Sequence, residues 1–237
     1  MDSFWQFLAI LASVLQVLLV GSMQNRGLYR LYPFLFLHSL VLLLASVVEW
    51  TTVRQASFAN YYWTNEVVLQ VLLLLTMLHF IYLALETDPA RRRKVALIGL
   101  AILIVSVTLA TFNPRPPQLI PPEKQTTYFM TLLSRNLSFC TALLNVVLWS
   151  SLLHFRRRDV QMLMLAAGTG VFTTGKAIGH SLRMLDKELA MAGNGVVVVT
   201  ALLALMIWTW SCWSLRPRVV ERMPLPGAAA GEPLGRS

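Results

Sequence analysis

Apolar stretches long enough to cross a bilayer follow one another along this chain almost without a break, and that succession leaves few folds open. A helical crossing of the hydrocarbon layer needs about 20 predominantly apolar residues. Such stretches are read at 4–22, 31–49, 62–86, 95–112, 127–153, 160–182 and 194–214. Surface helices of a soluble protein keep a polar face, and these segments are too apolar all round for that. Composition agrees: 56% of the 237 residues are hydrophobic and 13% charged, against roughly 25% charged in a soluble domain. The expected fold class is all-α membrane, a bundle of seven transmembrane helices over residues 1–215, followed by a disordered cytoplasmic tail at 216–237.

The net charge of +9 sorts by side rather than forming one basic face. Thirteen of the twenty Lys and Arg residues fall on one side: Arg26 and Arg30, the run 91–94, the run 156–158, and Arg216, Arg218, Arg222 and Arg236. Arg54, Arg115, Lys124, Arg183 and Lys187 fall on the other, and Arg135 and Lys176 lie within spans. Cytoplasmic loops hold the excess of basic residues, so the N-terminus is expected outside and the C-terminus in the cytoplasm. The basic loops meet anionic headgroups; a nucleic-acid partner is not expected. Met1-Asp2-Ser3 has no basic n-region, which argues against a cleaved signal peptide. Cys140 and Cys212 both fall within spans, so no outer disulfide framework is expected. Pro114, Pro116, Pro117, Pro121 and Pro122 stiffen the connection before the fifth span, as a spacer or a lid.

Polar residues inside the spans carry the functional signal. At 100° per residue, Thr169, Thr173, Lys176, His180 and Arg183 share one face of the sixth span. Thr131, Ser134, Ser138, Thr141 and Asn145 share a face of the fifth, with Arg135 at its edge. Glu66 and Gln70 lie one turn apart in the third, and His38 and Glu49 share a face of the second. The fourth span, with Ser106 and Thr108 as its interior polar groups, reads as lipid-facing. A charge at the centre of a lipid-exposed helix costs about 2.5–3.5 kcal/mol. Turned inward, Glu66 and Glu49 can pair with Arg135 and Lys176, or meet water. An outward-opening polar pocket lined by the second, third, fifth and sixth spans is therefore expected, built from Glu49, Glu66, Gln70, Arg135, Ser138, Asn145, Thr173, Lys176 and His180. The competing reading is a structural network that only binds the helices together.

Sharper motifs fail. Gly170 to Ala177 approaches the phosphate-loop pattern, but Ala177 stands where the metal-binding hydroxyl belongs and no strand precedes it. Gly175 and Gly179 read instead as a packing face. A retinal lysine would belong to the seventh span, which has no lysine. His38 and His79, at matching depths, are a candidate pair for axial ligation of a b-type haem, although His79 lies on the opposite side of the third span from Glu66 and Gln70. No metal-ligand or nucleophile motif is present, so no enzyme and no cofactor is expected. Seven-helix zinc hydrolases of membranes are similar to this chain in span count alone.

Arg30-Leu-Tyr32-Pro33, Tyr61-Tyr62-Trp63 with Glu66, and Gly168-Thr-Gly170 resemble a group of uncharacterised bacterial seven-helix integral membrane proteins of about this length. The layout is also similar to the seven-helix sensor modules that precede bacterial kinases, without their output domain. The resemblance implies a multi-pass protein of the bacterial cytoplasmic membrane. The expected function is a non-enzymatic sensor or ligand-binding bundle, or a subunit of a membrane complex, reaching a membrane or cytoplasmic partner through its basic inner loops. A transporter or proton/ion pathway is the alternative, and a haem redox protein the third.

Overall fold

The computed structural model describes residues 3–52, 58–84, 122–154, 160–185 and 187–214, with scattered positions between 93 and 109. All regular structure among them is helical: α1 (Ser3–Asn25), the single turn α2 (Leu28–Leu31), α3 (Pro33–Thr52), α4 (Phe58–Ala84), α5 (Pro122–His154), α6 (Val160–Leu185) and α7 (Lys187–Ser214). Gly27, at φ 67°, takes the left-handed conformation that turns the chain from α1 into α2. Pro33 and Pro122 open their helices, where a missing N–H costs no intrahelical bond.

Of the expected fourth span, only scattered residues are described. Leu97, Leu100, Ile104, Val105 and Leu109 are helical and exposed, and Ile102 packs on the core. Arg91 and Arg92 of the basic run 91–94, the run 156–158, most of the proline-rich segment and the tail lie outside the described residues.

The long helices contact one another in the order α1, α3, α4, α5, α6, α7, and α7 returns to α1. This closes a ring, with α4 also touching α6 across its interior. Polar contacts stitch the ring. Ser46 Oγ donates to Gln16 Oε1 (3.2 Å) between α3 and α1, and Thr209 Oγ1 to Leu15 O (3.4 Å) between α7 and α1. Asn145 Nδ2 donates to Ala166 O (2.6 Å) between α5 and α6. Between α6 and α7, Gln161 Nε2 donates to Ser211 O (3.5 Å) and Ser211 Oγ returns a bond to Gln161 O (3.3 Å). Such bonds suit a medium in which water cannot satisfy a polar group.

The distribution of side chains is inside out relative to a water-soluble protein. Phe7, Val14, Leu44, Val47, Leu143 and Val146 are exposed, while Gln16, Glu66, Gln70, Lys176 and His180 are buried. Hydrocarbon surroundings favour this arrangement and water would favour the reverse. Trp5–Asn25, Tyr61–Ala84, Tyr128–Ser150 and Leu189–Ser214 are long and apolar enough to cross a membrane, and Pro33–Val48 is a shorter apolar helix. The chain is a membrane protein. Helix α6 is long enough as well, but its buried Gln161, Thr169, Thr173, Lys176 and His180 dilute its apolar character.

Helix α7 begins at Lys187, not near 194 as the apolar pattern suggested. Its first turns are too polar to count as hydrophobic span, yet they pack against α6. Gly179 and Gly193 meet at that crossing, where a Cβ on either would strike the other's backbone carbonyl. Gly175 likewise makes room for Thr200, so the glycines of the failed phosphate-loop pattern are contacts between helices.

Candidate functional site

Glu66 of α4 is buried, and side chains from α4, α5 and α6 converge on it. Lys176 of α6 reaches it with Nζ 2.8 Å from Oε1 and 2.9 Å from Oε2, a two-pronged ion pair. Ser134 Oγ of α5 donates to Oε1 at 3.0 Å, and Gln70 Nε2, one turn along α4, donates to the same oxygen at 3.1 Å. His180, one turn beyond Lys176, places Nε2 3.2 Å from Ser134 Oγ and 3.5 Å from Glu66 Oε1. The serine has one proton and gives it to Glu66, so His180 Nε2–H is the donor to the serine oxygen. Glu66 is 7% and Lys176 5% exposed, and Gln70, Ser134 and His180 are fully buried. Gln70 Oε1 and His180 Nδ1 have no hydrogen-bond partner among the described residues.

Beneath the pair, Lys176 Nζ stands 4.8 Å from the centroid of Phe172, one turn earlier on α6. A cation over an aromatic face gains electrostatic stabilisation when water is scarce. Phe172 meets the His38 ring edge-on at 5.9 Å, and Trp208 stands 5.8 Å from His38 and 5.9 Å from Phe172. Trp208 Nε1 donates to Leu165 O at 3.0 Å. Gly168 makes that possible, since a Cβ there would overlap the indole. Gly170 serves Asn145 in the same way. The Gly168-Thr-Gly170 motif thus seats one side chain from α7 and one from α5.

Above the pair lies a cavity of about 680 Å³. It occupies the half of the bundle in which α1 begins, and Glu66, Lys176 and Phe172 form its base. Ala9, Ala12, Leu42, Leu69, Val198 and Ala201 supply apolar wall, while Gln16, Ser46, Asn65 and Asn194 place amide and hydroxyl groups around it. The volume falls within the roughly 300–1,000 Å³ of small-molecule pockets.

The sequence-derived site residues are not all brought to one place. Glu66, Gln70, Lys176 and His180 come together, joined by Ser134. Ser138 and Thr173 are buried but bond back along their own helices, to Ser134 O (2.8 Å) and Thr169 O (2.9 Å). Asn145 fastens α5 to α6 away from the cavity. Arg135 does not pair with Glu66: its Nη1 lies 3.5 Å from Met184 Sδ, at the edge of the polar arc where the helical projection had placed it. The Glu49 side chain lies outside the described residues.

The cavity walls also differ from those expected. Helices α1 and α7 line it, and α5 reaches the carboxylate through Ser134 without forming a wall. Gln16, Ser46, Asn65 and Asn194 escaped the sequence reading. Gln16 left one usable signal, an amide in the middle of an otherwise apolar span.

The histidine pair does not fit a haem. His79 Nε2–H donates to Leu31 O at 2.9 Å and the ring stacks on Tyr82, while His38 is enclosed by Phe172 and Trp208. Neither histidine lines the cavity. Among the described residues, no group of three or more His, Cys, Asp or Glu is placed to hold a metal ion.

Comparison of the chain with protein-family models, with curated proteins and with solved structures finds no match.

Proposed function

We propose that this chain is a ligand-binding membrane bundle without catalytic activity, a sensor or the ligand-binding subunit of a membrane complex. In this reading it crosses the bacterial cytoplasmic membrane seven times, starting outside and ending in the cytoplasm, in the manner of the seven-helix group its motifs resemble. The sidedness of its arginines and the run of apolar segments support that topology. Occupancy of the pocket would pass to a membrane or cytoplasmic partner through the basic inner loops.

The observation that carries the proposal is the Glu66–Lys176 pair at the base of a 680 Å³ cavity. A network serving only to hold helices together has no need of such a space above it. Native mass spectrometry of protein released gently from nanodiscs tests the reading. Wild type is expected to retain a small-molecule adduct, and Ala201→Trp, which fills the cavity, is expected to lose it while unfolding at a similar temperature. Wild type and Ala201→Trp each appearing at its own bare polypeptide mass would leave the pair a structural brace.

A second reading has one observation in its favour. Gln70, Glu66, Ser134 and His180 form a continuous hydrogen-bonded string across α4, α5 and α6, which suits proton or ion passage. Proton uptake by proteoliposomes, abolished by Glu66→Gln and by Lys176→Met, would favour this pathway over simple binding.

A further inference from the structure

We infer that the cavity takes an uncharged amphiphile, a molecule with an alkyl or isoprenoid body and a hydroxyl or amide head. The inference rests on the binding reading above and names the class of ligand for the same pocket.

Charge balance comes first. Among the described residues lining the cavity, Glu66 is the one acid and Lys176 the one base, and they neutralise each other at 2.8 and 2.9 Å. A carboxylate or ammonium entering this space would bring a charge with no free counter-charge among the described lining residues, in a poorly solvated site. It would have to split the pair to find a partner, leaving the displaced residue buried and unpaired.

The hydrogen-bonding capacity that remains fits a neutral head. Glu66 Oε1 is crowded by Lys176, Ser134 and Gln70, but Oε2 accepts, among the described residues, from Lys176 alone. A carboxylate oxygen has a second lone pair, and an ammonium has three protons of which Glu66 uses two. The base of the cavity therefore offers one acceptor and one donor side by side. A hydroxyl or primary amide can satisfy both without disturbing the pair. Gln16, Ser46, Asn65 and Asn194 extend the same neutral chemistry along the walls.

The body follows from the remaining lining. Leu8, Leu42, Leu69, Val197, Val198 and Leu202 make most of the remaining wall aliphatic, with Trp5 and Tyr62 as its aromatic members. Phe172 closes the base against His38 and Trp208. A sugar or free amino acid would leave most of this wall in contact with polar groups. An aliphatic chain covers it.

Photoaffinity labelling separates the possibilities. Three diazirine probes of equal chain length, ending in an alcohol, a carboxylate and a primary amine, are applied to the full chain in nanodiscs, and labelled peptides are mapped by mass spectrometry. The alcohol is expected to label peptides containing Asn65, Met191 or Asn194 saturably, at least tenfold more than the other two. Ala201→Trp is expected to remove that labelling and leave the unsaturable labelling of lipid-facing Leu143 and Val146 intact. Preferential saturable labelling by the carboxylate or the amine overturns the ligand class but keeps the pocket. Absence of saturable labelling at these peptides by all three probes overturns the pocket reading as well.

Discussion

Lys176 alone would be an expensive residue to place in a membrane helix, and its tolerance depends on Glu66. Removing one partner of a buried ion pair leaves the other uncompensated, at about 3–5 kcal/mol. Lys176→Met is therefore expected to lower thermal stability in nanodiscs markedly, and Glu66→Gln in the same chain to restore much of it. Equal and additive losses from the two single substitutions would mean that the residues do not act as a pair. Lys176 and His180 were legible in the sequence because a polar stripe on α6 survives projection onto a helical wheel. Glu66 and Gln70 were legible as one turn of an otherwise apolar helix. Arg135 was not, because a long side chain at the edge of an arc can turn either way, and packing near Met184 decides it. The lone Gln16 and the short Ser46 gave no stripe to detect, though their mutual bond joins α1 to α3.

Helices α6 and α7 share the most extensive contact in the bundle, and close backbone approach at Gly179 and Gly193 permits it. Gly179→Val would force these backbones apart, and overpacking of this kind costs about 1–3 kcal/mol. A clear drop in unfolding temperature is expected, whereas Gly21→Ala, where nothing lies within 4 Å of an added Cβ, is expected to leave it unchanged. Apolar runs made the helices of the described spans visible in the sequence. Their ends were less so: α5 starts at Pro122 and α7 at Lys187, because a helix persists past the point where its composition stops looking like membrane. The wall made by α1 and α7 was hidden for a related reason, since an apolar helix gives no hint of which apolar face looks inward.

At the scale of the molecule, the bundle faces hydrocarbon outside and holds within it a cavity with a neutralised ion pair at its base. The outer surface can be tested directly. Leu143 is 67% exposed on α5; in water Leu143→Arg would be nearly neutral, but in a bilayer it is expected to oppose insertion by about 3 kcal/mol, readable as loss of membrane-integrated protein. Unchanged integration would argue against lipid contact at that face.

The interior is tested most directly by thiol accessibility. In a chain carrying Cys140→Ser and Cys212→Ala, Asn65→Cys places a thiol in the cavity wall above Glu66. A membrane-impermeant maleimide is expected to modify it from outside intact cells, and Ala201→Trp to slow that modification at least tenfold. A thiol that stays unreactive in the folded protein from both sides of the membrane would contradict the pocket on which the functional reading stands.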